Sequence, residues 1–154
     1  MLDIGHQIPT FSLSDQNGTA VQSSDLLGHY IVLFFYPKDF TPGCTKEVCA
    51  FRDQYQEFVD AGAVVIGVSS DSERSHQRFA TRHQLPYPLL SDASGKLKRQ
   101  FGVKSKILGL LPGRETFVFD PDGKLIFKFS SLDATPHIRK TLKLLKEKSN
   151  VVKQ

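Results

Sequence analysis

The sequence predicts an α/β fold, a central mixed sheet flanked by helices and preceded by an N-terminal β-hairpin. Three observations carry this expectation. Continuous apolar runs at 30–36 and 63–68 read as strands covered on both faces. A helical pattern follows each run. A strong turn, Asp120-Pro121-Asp122-Gly123, then joins two short strand-like runs ahead of a last amphipathic stretch.

In chain order, Phe11-Ser12-Leu13 and Thr19-Ala20-Val21 flank Asp15-Gln16-Asn17-Gly18, predicting an opening hairpin with an Asn-Gly turn. Ser24-Asp25 starts a short helical turn that stops at Gly28. After the first core strand, Val48, Phe51, Tyr55 and Phe58 or Val59 recur at three- and four-residue spacing, predicting one helix over 42–61 with Gly62 as its stop. Ser70, Asp71 and Ser72 are cap candidates for a helix reaching about His83 and ended by Leu85-Pro86. Ser91-Asp92 is expected to open a short helix to Phe101, with Gly102 after it. Strands at 116–119 and 125–129 enclose the strong turn, with Leu125, Phe127 and Phe129 expected on one face. Thr135 caps the last helix, Pro136 takes its first position, and Ile138, Leu142 and Leu145 form its apolar stripe. The order strand–helix–strand–helix, then strand–strand–helix, is the thioredoxin-like arrangement, and its first half predicts a right-handed βαβ unit. Residues 1–148 read as a single domain and 149–154 as a frayed tail. The chain has no repeat, low-complexity segment or linker.

Composition narrows the functional classes. Of 154 residues, 40% are hydrophobic and 23% charged, as in soluble globular chains, and no apolar run approaches membrane-spanning length. Met1-Leu2-Asp3 begins no signal peptide, so a cytoplasmic location is expected, with a mature organellar form as the alternative. The net charge of +4 invites a nucleic-acid reading, but residues 139–154 hold six Lys or Arg against one acid, leaving the rest slightly negative. A basic terminal helix is ordinarily just a solvated one, and no nucleic-acid or membrane partner is expected.

The chemistry concentrates in YPKDFTPGCTKEVC, which holds both cysteines, Cys44 and Cys49. Thr41 suits an N-cap and Pro42 a first helical position, so Cys44 falls in the first turn. There, unpaired N–H groups and the positive end of the peptide dipole stabilise a thiolate. Two cysteines are too few for a disulfide framework, and a close pair in a reducing compartment is more often catalytic or metal-binding. A metal is disfavoured, because residues five apart on a helix point about 140° apart. His6, His29, His76, His83 and His137 also lack ligand spacing. A four-residue gap between the cysteines disfavours a simple dithiol exchanger. The plain alternative, that both merely fill space, is common for cysteine, but leaves the helix-start placement without a reason.

Residues 36–52, YPKDFTPGCTKEVCAFR, resemble the active-site segment of peroxiredoxins, whose P-x-x-x-T-x-x-C signature is met by Pro37, Thr41 and Cys44. Cys49, five residues on, is similar to the second cysteine of the peroxiredoxin Q (bacterioferritin comigratory protein) branch. Gly113-Arg114-Glu115-Thr116-Phe117-Val118 fits the arginine that the family places just before a strand. The resemblance spans nearly the whole chain. It implies a thioredoxin-dependent thiol peroxidase acting on hydrogen peroxide and organic hydroperoxides, with no metal, haem or flavin. Cys44 would attack and become a sulfenic acid, and Cys49 would close a disulfide with it. Arg114, Thr41 and the first-turn N–H groups would stabilise the departing oxygen, and Pro37 would shield the sulfur. Glu47 would either hold Arg114 by an ion pair or stand as an ordinary exposed carboxylate. The partners implied are a hydroperoxide and thioredoxin or a similar dithiol reductant, with the chain a monomer. A non-enzymatic redox sensor or partner-binding module using the same disulfide is the competing class. The apolar stretch Ile107-Leu108-Gly109-Leu110-Leu111 is expected to pack on the core, or else to flank the substrate entrance or a reductase-docking surface.

Overall fold

Alternating side chains of one central strand organise two cores. In the computed structural model, which describes residues 2–103, 114–131 and 133–153, β3 (Tyr30–Phe35) sends Val32 and Phe34 to one face of the sheet and Ile31, Leu33 and Phe35 to the other, all almost fully buried. Burial on both faces is why this stretch reads as a continuous apolar run. It is flanked by β4 (Ala63–Ser69), parallel, and by β6 (Glu115–Phe119), antiparallel. The edges are β5 (Leu89–Ser91) and β7 (Leu125–Ser130), giving the order β5-β4-β3-β6-β7. A separate hairpin, β1 (Ser12–Ser14) with β2 (Ala20–Gln22), and a 3-10 turn at Ser23–Leu26 precede this sheet. This is the expected thioredoxin-like architecture.

The helices are α1 (Pro42–Asp53), α2 (Tyr55–Asp60), α3 (Glu73–His83), α4 (Lys96–Phe101) and α5 (Thr135–Lys153). On one face, α1, α2, α3 and α5 cover the sheet with Val48, Phe51, Phe58, Phe79, Ile138, Leu142 and Leu145. On the other, Leu97 and Phe101 of α4 join Leu2, Ile8 and Phe11. Phe51 stacks on Phe34 at 4.4 Å between centroids, which seats α1 on the middle of the sheet. No helix among the described residues is long and apolar enough to cross a membrane.

Several local expectations need correction. The helix expected over 42–61 is interrupted at Gln54 (φ −103°, ψ 8°), where neither glycine nor proline marks a break; beyond it Tyr55 packs on Tyr87, 6.1 Å between centroids. Ser91 does not open a helix. It ends β5, a strand too short to show a period, while the Asp92 carboxylate reaches forward to accept from the N–H groups of Leu97 and Lys98. Leu125 does not share a face with Phe127. The pairing of β7 with β6 shifts register between Val118 and Phe119, so Phe127 opposes Val118 while Leu125 opposes Phe119 across the extra residue Ile126. The opening hairpin turns through three residues rather than two, with Gly18 at φ 77° and the Asp15 carboxylate accepting from the N–H groups of Asn17 and Thr19. The Asp120 turn repeats this device with Gly123 at φ 86°. Helix α5 starts at Thr135 itself and continues to Lys153, past the end expected at 148. The apolar stretch 107–111 lies outside the described residues.

Candidate active site

Strand β3 ends at the loop 36–41, which turns the chain into α1 and delivers Cys44 to the first helical turn. Thr41 has the extended N-cap backbone (φ −82°, ψ 149°), and Pro42 occupies the start of the helix. The expected side-chain cap is absent. The Thr41 hydroxyl instead donates to the Lys38 carbonyl at 2.8 Å. With its hydrogen committed to Lys38, this hydroxyl has only its lone pairs left to offer to another group, whereas the sequence reading expected a donor. Gly43 and Cys44 fall among the opening residues of the helix, whose N–H groups have no intrahelical acceptor. Pro37 is half-buried and lines a pocket of about 70 Å³ with Tyr36, Ser69 and Asp92.

Arg114, 6% exposed just ahead of β6, comes to this helix start from the far end of the chain. Its Nη2 donates to Cys44 Sγ at 3.6 Å, and its Nη1 donates to Glu47 Oε1 at 2.7 Å. Cys44 is 1% exposed and belongs to the sheet-facing core. Gly43 makes room for the guanidinium, since a Cβ there would stand 3.0 Å from Nη2. Burial works against the charge on Arg114, but Glu47 and Cys44 outweigh it and raise its pKa. Cys49, on the same helix, is a half-buried free thiol whose pKa burial pushes up. Cys44, Glu47 and Arg114 are thus brought together. Cys49 stands apart from Cys44, about 8.6 Å away between Cα atoms in a regular helix.

Glu47 is no exposed helix carboxylate. It is fully buried, and its Oε2 has no hydrogen-bond partner among the described residues. Burial raises its pKa to about 7 against the opposing pull of Arg114. His137 Nδ1 lies 4.0 Å from Oε2. That ring is held by the Ser131 carbonyl at Nε2 and by Thr116 Oγ1, 2.8 Å from Nδ1. A carbonyl only accepts, so Nε2 carries a hydrogen and the Thr116 hydroxyl donates to Nδ1; burial lowers the pKa of this histidine. Sequence reading missed His137 and Thr116. The only local sign was a polar pair on faces otherwise apolar.

A pH dependence follows. Glu47 holds its proton to about pH 7 in the folded chain and only to about 4.5 when unfolded. Between those values the folded state binds more protons, so stability falls as pH rises through the window and is flat beyond it. The loss is about 3 kcal/mol for a shift of that size. Urea unfolding of the reduced protein at pH 5 and pH 8 checks this against Glu47→Gln, which keeps the acceptor for Arg114 but does not ionise. The variant gains on the wild type by roughly that amount at pH 8; a difference constant with pH means that Glu47 titrates normally.

A second polar cluster lies behind the loop. Asp39, Asp71 and His76 bring ligand-type atoms within 4.8 Å of one another. His76 Nε2 faces the Leu90 carbonyl at 3.0 Å and so carries a hydrogen, while Nδ1 lies 2.7 Å from Asp39 Oδ2. The spacing is that of a hydrogen-bond network rather than of ligands around an ion. Neither Asp39 nor His76 is marked by sequence spacing.

A thioredoxin-like sheet with a buried thiol at a helix start beside a buried guanidinium is the framework of a thiol-dependent peroxidase, and relatives agree. Residues 4–128 match the AhpC/TSA family. The chloroplastic peroxiredoxin Q of Sedum lineare is 47% identical over 142 residues, 92% of this chain and 76% of that protein. The chloroplastic peroxiredoxin Q of Arabidopsis thaliana is 48% identical over 144 residues, 92% of this chain and 66% of that protein. Among solved structures, a peroxidoxin from Mycobacterium tuberculosis superposes with a TM-score of 0.85 at 44% identity, covering 96% of this chain and 98% of that one. The Xanthomonas campestris bacterioferritin comigratory protein, described for its alkyl peroxide reduction activity, gives 0.87 at 32% identity, covering 97% and 98%. The chain belongs to the AhpC/TSA family, on its peroxiredoxin Q side, and is a thiol-dependent peroxidase.

Proposed function

We propose that this enzyme reduces hydrogen peroxide and organic hydroperoxides through Cys44, with Cys49 as the resolving thiol and thioredoxin or a similar dithiol as reductant. The carrying observation is the contact of Arg114 Nη2 with the buried Cys44 sulfur at the opening of α1. The Cys44 thiolate attacks one peroxide oxygen and the O–O bond breaks. The electron pair leaves on the second oxygen as hydroxide or alkoxide, which takes up a proton, and the sulfur becomes a sulfenic acid. Arg114 and the first-turn N–H groups are aimed where that negative charge develops. Thr41 accepts from the incoming hydroperoxide O–H, and Pro37 takes the shielding role that the signature resemblance implies. The Cys49 thiol then gives up its proton and attacks Cys44 Sγ, displacing hydroxide, which takes up that proton and leaves as water. An external dithiol reopens the disulfide by exchange. The alkyl peroxide activity of the Xanthomonas relative supports the organic substrates. We take the chain to act as a monomer. The cycle needs a reducing compartment, the cytoplasm or, as for the plant relatives named chloroplastic, an organelle. Peroxide-dependent NADPH oxidation in the presence of thioredoxin and thioredoxin reductase tests the whole scheme. A sensor would consume one peroxide per molecule and stop.

The second step demands motion. Disulfides require Cα separations below about 7 Å, which residues five apart on a regular helix do not reach, so the first turns of α1 must unwind. Two contacts limit the unwinding: the Tyr87 hydroxyl donates to the Val48 carbonyl at 2.7 Å, and Arg52 Nη1 donates to the His83 carbonyl at 2.7 Å. Amide exchange measured by mass spectrometry rises across 42–50 in the disulfide form, while β3 and β4 remain protected. Equal protection of that segment in both forms would rule out this route.

A further inference from the structure

The loop that feeds α1 is held far more firmly than its length requires. Asp39 is 4% exposed and His76 fully buried. The Asp39 carboxylate accepts from the Tyr36 hydroxyl at 2.6 Å and from Ser75 Oγ at 2.8 Å, and its Oδ2 lies 2.7 Å from His76 Nδ1. The backbone is tied as well, since the Asp39 N–H donates to Asp71 Oδ2 at 2.9 Å, and that oxygen also accepts from Ser69 Oγ. Directly after this anchor comes Phe40 at φ 65°, a left-handed conformation that is unfavourable for a side chain with a Cβ. The Phe40 ring is half-exposed and rests on Phe79, 5.0 Å between centroids. Then follow Thr41, whose hydroxyl is fixed on Lys38, and the start of α1. Ser75, His76 and Phe79 all belong to α3, so one helix grips the loop through both polar and aromatic contacts.

We infer that Asp39 and His76 form a positioning pair that clamps the strained loop 37–41 and holds Thr41 and the α1 N-terminus in the peroxide-reactive arrangement, against the unwound one that closes the disulfide. This rests on the proposed two-step cycle. The pair touches neither sulfur, and it acts through the backbone it anchors. The strain at Phe40 is sustained only while its neighbours overdetermine it. With the clamp weakened, the loop relaxes and the first turn of α1 loses its fixed starting point. The folded site then becomes less populated and the resolving form more so.

The test separates the two steps. The chain has no Trp, so rapid quenching with a thiol alkylator and mass spectrometry follows Cys44 oxidation and disulfide formation individually. Asp39→Ala slows oxidation about tenfold, the effect of losing a buried charge-assisted hydrogen bond, while disulfide formation from the sulfenic acid is unchanged or faster. Asp39→Asn restores oxidation to near wild type, because its amide can donate to a neutral His76 Nδ1 and still accept from Tyr36. A merely structural pair would lower both rates together or neither, and either result overturns the inference. If Asp39→Ala does not fold, Ser75→Ala removes a single donor and shifts the two rates in the same opposed directions by about twofold; no such opposed shift overturns the inference. Amide exchange of 40–47 in the reduced variants, without peroxide, rises if the clamp is real even should the enzyme prove to use another cycle. Absence of Cys44 oxidation in the wild type would instead count against the cycle alone.

Discussion

Cys44→Ser consumes no hydroperoxide above the uncatalysed background, whatever reductant is supplied. A serine hydroxyl is not ionised near neutral pH, and the Arg114 guanidinium that faces position 44 is a cation and cannot take its proton. Cys49→Ser behaves differently. Its Cys44 performs one turnover at the wild-type rate, then stalls as the sulfenic acid or takes a second oxygen to become sulfinic acid. Intact-mass measurement after a single peroxide addition distinguishes the three proteins: unchanged, one or two oxygens added, and two hydrogens lost. The burial-raised pKa of Cys49 fits the junior role, since a thiol held in its protonated form does not compete for peroxide. If the two variants exchange behaviours, the assignment of attacking and resolving thiols is reversed. A wild type that loses its two hydrogens but is not recycled by any dithiol is a sensor.

What the sequence disclosed and what it withheld divide along a physical line. Features set by neighbours in the chain were legible. The two Asp-x-x-Gly segments were legible as turns, although the first was read as an Asn-Gly turn and its Asp15 carboxylate, like that of Asp120, accepts from two N–H groups. The central strands showed as apolar runs because both faces of β3 and β4 are covered. The start of α1 was visible in Thr41-Pro42, although not the direction of the Thr41 hydroxyl, which depends on a carbonyl three residues back. Features set by distant packing were not legible. Strand β5 exists because β4 offers it an edge, and Leu125 changes faces because of a bulge one residue wide. The ion pair of Arg114 with Glu47 joins residues 67 apart, and the contact of His76 with Asp39 joins residues 37 apart. Arg114 was singled out only through the resemblance, since an arginine after Pro-Gly carries no local sign of burial. Glu47 was read evenly between an ion pair and a solvated carboxylate. Its burial beside His137 favours the first and adds a proton equilibrium near neutrality that no spacing rule would supply.

Arg114→Ala slows peroxide oxidation of Cys44 by about two to three orders of magnitude, the usual effect of removing one preorganised donor from developing negative charge. The geometry concentrates the loss in the chemical step. Nη2 is the guanidinium atom at the sulfur, Nη1 is occupied by Glu47, and both bonds are made in a nearly water-free setting. Arg114→Lys does not restore the rate, because an ammonium is a single point of charge without the planar fork that serves Glu47 and Cys44 at once. The obvious objection is that Arg114→Ala strands a buried carboxylate and damages the site indirectly. Glu47→Gln combined with Arg114→Ala answers it, since the double variant leaves no uncompensated charge at position 47. If the charge left on Glu47 were the cause, the double variant would recover oxidation; with Arg114 acting on the departing oxygen, it stays as slow as Arg114→Ala. Rapid-quench oxidation rates at several peroxide concentrations decide between these outcomes, and near-wild-type rates in Arg114→Ala would remove this residue from the reaction altogether.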